Sequence, residues 1–481
     1  MKLVDALRTK NTTTENGMTT NSSSLNACVD LFFTIGAMRG QEKERLLRNF
    51  SLAYHEDPTR TMKILFWARD VREGAGERQI FKDIIVHLAE NHDLSLRPNL
   101  SLIPFFGRWD DLLALEGTLL ESEVFSLIAE ALSAGDKLCA KWMPRKGKTS
   151  VKLRNFMKLN PKSYRKLLVG LTEVVETKMC AGDWDSIEFG KIPSLAAARY
   201  QKSFWKNAKD QYSAYVEALK SGTAKINAGA VYPYDVTKSL TFGDPDVANA
   251  QWKSLPNYME GSQEMILPVV DVSGSMCSSA GGNPNLTCMD VSISLGLYIS
   301  ERNEGPFKDS IITFSGEPEL EILKGDLKQR FGQLQRANWA MNTDLQKVFE
   351  LILDQAKKNN VPESEMPTKI LILSDMEFDE AVNSTPRWGV VKEEVSKWNP
   401  TAQEMISTMY KEAGYELPSI IYWNIQSRGK NIPVSFNETG TALVSGFSPS
   451  ILKSLLKGVI VSPQQIMEET IMTERYEQIK S

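Results

Sequence analysis

The stretch Met265-Ile-Leu-Pro-Val-Val-Asp-Val-Ser-Gly-Ser-Met276 decides the fold. An apolar run of strand length ends at Asp271, and Gly274 loosens the turn that follows. Two hydroxyl side chains, Ser273 and Ser275, alternate in that turn. In an open α/β sheet, ligands bind beyond the carboxyl ends of the strands, so we expect the carboxylate and both hydroxyls to face one point.

These oxygen atoms suit a hard divalent cation, but they are too few to complete its ligand shell. Two later segments supply candidates. Thr343 precedes an amphipathic stretch that starts at Leu345, and a second buried-strand run, residues 369–374, ends just before Asp375. The sequence predicts a site for Mg²⁺, or another divalent cation such as Mn²⁺ or Ca²⁺. Taken alone, the Asp-Val-Ser-Gly-Ser pentapeptide is more typical of a capped strand-to-helix turn, and only the later threonine and aspartate favour a metal site. The predicted metal ligands are Asp271, Ser273, Ser275, Thr343 and Asp375.

This pattern resembles the metal-ion-dependent adhesion site of the von Willebrand factor A domain. It consists of Asp-x-Ser-x-Ser, then a threonine in a later loop, and then an aspartate at the end of a later strand. That resemblance implies direct ligation by the three hydroxyls, with Asp271 and Asp375 acting mainly through bound water. It also implies docking of a protein partner that presents a carboxylate to the metal. The segment after Asp375 adds three acids, Glu377, Asp379 and Glu380, which could bind the metal in place of that carboxylate or merely raise the local cation concentration.

Size and composition indicate an ordinary protein of two or three domains. The chain has 481 residues, and no apolar run approaches the ~20 residues that span a bilayer. The start of the chain has no apolar core of signal-peptide length, so we expect a cytoplasmic protein without membrane contact. The five cysteines are scattered and the three histidines form no metal motif. We find no base poised near a nucleophile and no phosphate-binding loop, so we expect no enzyme activity.

Helical and strand patterns divide the chain into four parts. Residues 1–24 read as a polar arm on the surface. Residues 25–235 show helical periodicity with almost no strand pattern, which predicts an all-α solenoid of the HEAT type. Residues 236–262 read as a linker, and residues 263–481 alternate strands and helices, typical of a doubly wound, Rossmann-like domain, here of the von Willebrand factor A type. One long final helix is expected over residues 463–479.

A one-sided basic tract occupies residues 137–166. Eleven Lys and Arg residues occur there without any Asp or Glu, and the aromatic Trp142, Phe156 and Tyr164 are interleaved. Like charges repel unless an anion is usually present, and aromatic rings can stack on unpaired bases, so the tract predicts RNA binding. A smaller basic and aromatic group at residues 199–209 could extend it. The predicted RNA-binding residues are Lys137, Lys141, Arg145, Lys146, Lys148, Lys152, Arg154, Lys158, Lys162, Arg165 and Lys166.

Overall charge agrees with this division. The formal net charge is −4, yet residues 1–260 carry 36 basic against 31 acidic residues, while residues 261–481 carry 20 against 29. We therefore expect any polyanion to bind the first half.

Further segments resemble the Ro (TROVE) ribonucleoprotein family: Thr14-Glu-Asn-Gly17, and Phe66-Trp-Ala-Arg-Asp-Val-Arg-Glu-Gly-Ala-Gly-Glu-Arg78-Gln-Ile-Phe81. Residues 192–200 and 225–234 resemble more closely a Ro-related group of plant, fungal and phage proteins with a C-terminal A domain. The resemblance implies binding of small structured RNA or of single-stranded RNA ends. Two alternatives stay open. The charges of residues 69–78 could simply pair among themselves, and the whole chain could be a protein-interaction scaffold, working with an ATPase or a virion component, without RNA.

Overall fold

The structure is a computed structural model that describes residues 12–172, 174–226, 231–240, 243–314, 318–336, 344–380, 400–429 and 431–481. The described chain forms two compact units. The sheet unit comprises residues from 12–57, 232–240 and 257–473. The helical unit comprises residues from 58–231, 241–256 and 474–481.

A six-stranded sheet forms the centre of the sheet unit. The strands, with a two-stranded hairpin before them, are β1 Thr12–Thr13, β2 Thr19–Thr20, β3 Ile266–Asp271, β4 Ser310–Phe314, β5 Glu319–Ile322, β6 Lys369–Ser374, β7 Ser419–Asn424 and β8 Thr441–Ser445. The order in the sheet is β5-β4-β3-β6-β7-β8, and every neighbouring pair is parallel except β4 with β5. The central strands β3 and β6 are buried along their whole length, as expected of apolar runs covered on both faces.

Helices cover this sheet. The helix Cys288–Arg302 packs on β3. A Cβ added at Gly296 in this helix would come within 2.5 Å of Val270 Cγ2, so glycine permits the close approach. The helices of the sheet unit are α1 Ala27–Ile35, α2 Lys43–Glu56, α14 Pro233–Ser239, α16 Cys288–Arg302, α17 Leu327–Arg336, α18 Leu345–Lys358, α19 Ala402–Ala413, α20 Leu452–Leu455 and α21 Pro463–Ile471.

Helix α1 belongs to the sheet unit although it precedes the strands by more than two hundred residues. Seven of its nine residues are buried, and it packs on β7 and β8. A Cβ at Gly36 would lie 2.8 Å from the Cα of Gly446, and the Ser445 hydroxyl donates to the carbonyl of Phe32 at 2.9 Å. The first helix is therefore part of the sheet's covering layer.

The helical unit consists of short helices that pack on their neighbours in the chain. A cluster of aromatic and aliphatic side chains around Phe189, Phe204 and Tyr212 forms one of its cores. Its helices are α3 Pro58–Arg69, α4 Gln79–Asn91, α5 Asp93–Leu96, α6 Ile103–Phe106, α7 Glu121–Ser133, α8 Lys137–Trp142, α9 Lys148–Phe156, α10 Pro161–Leu171, α11 Val175–Ala181, α12 Ser194–Asn207, α13 Lys209–Lys220 and α15 Pro245–Lys253.

The predicted fold class is confirmed, because a helical region precedes a doubly wound mixed sheet flanked by helices. Local differences remain. The final helix ends at Ile471 rather than at residue 479, and residues 236–262 contain helical segments with Val236 and Trp252 buried rather than an extended linker. Residues 12–24 are not a loose surface arm, because Met18 and Ser24 are buried in the sheet unit.

Candidate functional site

Two carboxylates meet at the carboxyl edge of the sheet. Asp271 ends β3, and Asp375 follows β6, which pairs in parallel with β3 through Val270 and Leu373. The chain winds from β3 to β4 on one side and reaches β6 on the other, so both aspartates lie where the strand order reverses. Ligands of open α/β sheets bind at such points.

The predicted serine ligands lie against Asp271. The backbone N–H of Ser273 donates to Asp271 Oδ1 at 2.9 Å, and the hydroxyl oxygens of Ser273 and Ser275 are 3.0 Å apart. A residue that was not predicted, Ser374, donates its hydroxyl to Asp271 Oδ2 at 2.6 Å. In the sequence, only the position of Ser374 next to Asp375 indicates that it could belong to the site.

Both aspartates have pKa values above the ordinary value of an aspartate. Burial, and then the charge of Asp375, raise the pKa of Asp271 to about 7. Burial raises the pKa of Asp375 as well, while the Ser275 hydroxyl and the charge of Arg428 act in the opposite direction. Within the described part of the chain, Asp375 Oδ2 is buried and accepts no hydrogen bond. Two hydroxyls and two buried carboxylates, one of which has an oxygen without a hydrogen-bond donor, fit the ligand preferences of a hard divalent cation.

Thr343, the remaining predicted ligand, lies outside the described residues. Asp344 begins the described chain again and caps helix α18 by accepting the Lys347 N–H at 3.1 Å. Burial is the largest cause of the raised pKa of Asp344, and the charge of Asp379 contributes. Asp344 therefore lies near the segment that follows Asp375. In the described ranges, no three His, Cys, Asp or Glu side chains come together as a metal-binding group. The predicted ligand set contains only two such residues, because its other three members are Ser or Thr hydroxyls.

Glu377 has both carboxylate oxygens occupied by protein donors. Oε2 accepts the backbone N–H of Glu15 at 2.6 Å, and Oε1 accepts the side-chain amide of Asn431 at 2.6 Å. Burial raises its pKa to about 6. Of the other added acids, Asp379 is half-buried and Glu380 is exposed. Glu377 thus fastens the N-terminal segment to the sheet edge, a role that no local sequence signal could reveal.

The basic tract lies on helices α8, α9 and α10 and on the segments between them, which carry Arg145, Lys146 and Lys158. Ten of its eleven basic residues are exposed, and Arg154 is half-buried. Lys152 forms ion pairs with Glu116 and Glu121 at 3.1 and 3.0 Å, and Lys137 also has an interaction within the chain. The other nine form no ion pair with any residue that the structure describes. We call these eleven residues the basic surface.

The interleaved aromatic residues differ in their availability. Tyr164 is buried and donates its hydroxyl to the carbonyl of Pro144 at 3.2 Å, so it has a structural role. Trp142 is half-buried, and the guanidinium of Arg108 lies 3.8 Å from its ring centroid. Phe156 is 42% exposed. Of these three rings Phe156 is the most exposed, although it also packs edge-on against Phe125.

In the smaller group at residues 199–209, the aromatic side chains pack within the helical unit, whereas the four basic side chains are exposed. Phe204 is fully buried, Trp205 packs edge-on against Tyr212, and the Tyr200 hydroxyl donates to Glu176. This group is consequently a weaker candidate for an extension of the basic surface.

The charges of residues 69–78 are partly buried and paired, though with partners outside the segment. Arg69 donates to Asp111 Oδ2 at 2.7 Å, and Asp70 accepts hydrogen bonds from Arg475 and Tyr476. A Cβ at Gly107 would lie 2.5 Å from Asp111 Oδ2, so that glycine makes room for the pair. These contacts favour the structural interpretation of the segment.

No helix in the described ranges combines the length and apolarity that crossing a membrane requires.

Comparison with known proteins gives the following likenesses. Residues 14–126 and 121–265 match the family described as domain of unknown function (DUF2828), and residues 266–481 match the domain of unknown function DUF7788. An uncharacterized protein of Acanthamoeba polyphaga mimivirus is 27% identical over 518 residues, which cover 94% of this chain and 86% of that protein. The crystal structure of the Deinococcus radiodurans RO (RSR) protein is similar over 93% of this chain and 99% of that chain, with 13% identity and a TM-score of 0.38. Since the first match spans more than half of the sequence, the chain belongs to the DUF2828 family.

Proposed function

We propose that this protein is a non-catalytic RNA-binding protein whose basic surface contacts the RNA backbone. The observation that carries the proposal is the exposure of ten basic side chains on three consecutive helices and the segments between them. Nine of the eleven basic residues have no ion pair with a described residue. A face that merely solubilises a protein normally mixes both signs of charge. Unpaired cations at this density suit a phosphate backbone.

The expected mode of recognition is tolerant of sequence. Phosphate contacts position a nucleic acid but carry no sequence information. Since Tyr164 is buried and Trp142 is stacked on Arg108, few rings are free to read bases. Small structured RNA, or single-stranded RNA ends, would suit this surface, and the resemblance to Ro proteins, in particular to the plant, fungal and phage group, implies the same class of ligand.

The test reverses the charge of four exposed basic residues by changing Lys146, Lys148, Lys158 and Lys162 to Glu. We expect much weaker binding of fluorescein-labelled oligouridine. The slope of log K against log salt should also become shallower by up to about 3, at ~0.7 per lost phosphate contact. Fluorescence anisotropy at several salt concentrations gives both quantities.

A matched control makes the same change of charge in the sheet unit, at the exposed Lys308, Lys324, Lys328 and Lys358. This variant should keep the affinity and the salt slope of the unchanged protein. Equal loss in both variants would mean that only net charge matters, and no loss in the first would remove the basic surface from the RNA site.

For the sheet edge we infer a second role, the metal-dependent docking of a protein partner. Asp271, Ser273, Ser275 and Asp375 would hold Mg²⁺, or Mn²⁺ or Ca²⁺, and Thr343 is proposed as a further ligand. The cation would accept a carboxylate from outside this ligand set. The buried, unsatisfied Asp375 Oδ2 and the raised pKa values of both aspartates support this inference, because a cation would relieve both.

Replacing Ser273 and Ser275 together by Ala tests the metal site. In the unchanged protein, Mg²⁺ at 100 times its Kd should stabilise the fold by ~2.7 kcal/mol, and this gain should vanish in the double variant while the metal-free stability stays similar. Thermal unfolding with Mg²⁺ or with EDTA measures it. An unchanged Mg²⁺ effect would exclude the two serines as ligands.

The alternative function, a scaffold that uses the metal site without RNA, is favoured by the same buried aspartates. Purification distinguishes the two. A protein that copurifies with nucleic acid released by high salt supports RNA binding, whereas a nucleic-acid-free protein that still binds Mg²⁺ supports the scaffold.

A further inference from the structure

A cavity of about 540 Å³ opens in the sheet unit, between α1, α2 and the loop that follows β7. Cavities that hold small molecules in proteins have volumes of about 300–1,000 Å³. The residues that line this one come from 22–56 and 429–432, so it lies within a single unit. No described residue of the basic surface or of the candidate metal site lines it. We call this space the α1–α2 cavity.

The two carboxylates at the α1–α2 cavity already accept hydrogen bonds from the protein. Asp30 Oδ2 accepts the hydroxyl of Ser23 at 2.6 Å, and Oδ1 accepts the backbone N–H of Ser24 at 2.7 Å. Glu56 Oε2 accepts the N–H of Ala27, near the start of α1, at 2.8 Å. Both acids therefore hold the segment around the start of α1 in place.

The basic groups at the cavity have no such counter-charge. Arg45 and Arg48 lie one turn apart on α2, and neither forms an ion pair with a described residue. The Arg45 guanidinium donates instead to neutral carbonyls, those of Ser427 at 2.9 Å and of Gly429. Burial, and then the charge of Arg48, lower the pKa of Arg45, so the two cations lie close enough to repel each other. An anion beside Arg48 would relieve this repulsion.

A neutral donor lies next to the exposed guanidinium of Arg48. The side chain of Asn49, the following residue of α2, also lines the cavity and is half-buried. It makes no hydrogen bond with any residue that the structure describes. The cavity thus offers a charged and an uncharged donor side by side, a combination that suits a carboxylate.

Apolar side chains form another part of the lining. Leu25, Leu52 and Ile432 contribute to it, and Leu52 is 57% exposed. The backbone of Leu25 has a φ of +72°, in the left-handed region that a leucine rarely adopts, and its N–H donates to the Ser23 hydroxyl at 3.0 Å. Backbone strain of this kind is concentrated at functional sites such as ligand clamps.

The balance of charge limits the ligand. Two cations, Arg45 and Arg48, and two carboxylates, Asp30 and Glu56, line the cavity, so their formal charges sum to zero. A monoanion can pair with Arg48, whereas a dianion such as a phosphate monoester would bring a second negative charge towards both acids.

We propose that the α1–α2 cavity binds a small monocarboxylic acid with an apolar body. The carboxylate accepts hydrogen bonds from Arg48 and Asn49, and the apolar body contacts Leu25 and Leu52. This site is separate from the proposed RNA and metal sites, and its occupancy requires neither of them.

The experiment measures binding of three probes to the full chain by isothermal titration calorimetry. The probes share one apolar body: 4-phenylbutyrate carries one negative charge, 4-phenylbutyramide is neutral, and 4-phenylbutyl phosphate is a dianion at pH 8. We expect 4-phenylbutyrate to bind most tightly. Its advantage over the amide should be about 10-fold or more, as expected for hydrogen bonds between a guanidinium and a carboxylate.

Variants assign that advantage to named residues. Arg48→Gln should weaken binding of 4-phenylbutyrate about 10-fold and leave binding of the amide unchanged. Leu52→Asp should weaken both probes, because both use the apolar contact. As a matched control, Arg336→Gln removes the same charge from an exposed position of α17 outside the cavity and should change either affinity less than about twofold.

A second control separates this site from the RNA site. The variant with Lys146, Lys148, Lys158 and Lys162 changed to Glu should bind 4-phenylbutyrate as the unchanged protein does. Thermal unfolding without probe checks that each variant is folded.

Five outcomes would overturn the proposal. The unchanged protein could fail to bind 4-phenylbutyrate, or it could bind the acid and the amide equally, which would exclude recognition of the charge. Tighter binding of the phosphate would refute the preference for a monoanion. Equal weakening by Arg48→Gln and Arg336→Gln would reduce the effect to overall charge. Loss of binding in the lysine variant would place the acid on the basic surface.

Discussion

Arg69 and Asp111 form a buried ion pair in the helical unit, with side chains 2% and 0% exposed. Asp111 also lies 3.5 Å from Arg78 and 3.6 Å from Lys82, but these distances are longer than its 2.6 Å contact with Arg69. A buried carboxylate that loses its closest cation is left poorly compensated. The Arg69–Asp111 ion pair is therefore expected to stabilise the folded helical unit.

Replacement of Arg69 by Met should lower the free energy of unfolding by about 3–5 kcal/mol, because Asp111 stays buried. Urea unfolding measures the change. As a control, Arg97→Met removes exposed ion pairs with Asp93 and Glu123, and it should change the free energy of unfolding far less, because solvent screens exposed pairs. Similar costs for the two variants would contradict the assigned importance of burial.

Helix α1 approaches the sheet closely where two glycines face each other, at Gly36 after α1 and Gly446 after β8. A Cβ at Gly36 would come within 2.8 Å of the backbone of Gly446, which cannot move like a side chain. Helix α1 therefore packs this closely on the sheet because Gly36 lacks a side chain.

Gly36→Ala should destabilise the protein by about 1–3 kcal/mol through overpacking. Its control is Gly170→Ala in α10, where an added Cβ meets nothing within 4 Å and should stabilise by roughly 0.5–1 kcal/mol. Both values come from chemical denaturation. A neutral Gly36→Ala would show that α1 shifts freely on the sheet.

The elements of the sheet could be predicted because buried parallel strands are short continuous apolar runs, and Asp271 and Asp375 mark their ends. The serines of the first loop could be predicted for the same reason. The contact of Ser374 with Asp271 and that of Glu377 with the backbone of Glu15 could not, because they join residues 103 and 362 positions apart. Contacts of that separation leave no local pattern in a sequence.

At the scale of the whole molecule, each unit contains the chain end that is distant from it in sequence. Residues 12–57 belong to the sheet unit, and residues 474–481 belong to the helical unit. In the latter, Arg475 and Tyr476 bind Asp70, and Asn99 bonds the backbone of Lys480 in both directions. The boundary near residue 262 that the sequence predicts therefore marks where the strand-rich part of the chain begins. It does not coincide with the limits of either unit, because each unit includes residues from both sides of it.

Residues 257–481 expressed alone should fail to fold, because they lack α1 and leave β7 and β8 uncovered. Coexpression with residues 1–256 should restore a soluble pair that copurifies on a tag carried by one half. The change Phe32→Asp, at a fully buried position of α1, should abolish the recovery. A stable, folded 257–481 fragment would show that α1 is dispensable for the sheet.

The hydrogen bond between the Phe32 carbonyl and the Ser445 hydroxyl can form only late in translation, since the two residues are 413 positions apart. At about 5–20 residues per second, a ribosome needs roughly 20–80 s to deliver the second after the first. During that interval the nascent chain carries Phe32 and Phe33 without the surface that will bury them, so cotranslational chaperones should engage this protein early and release it only when translation is nearly finished.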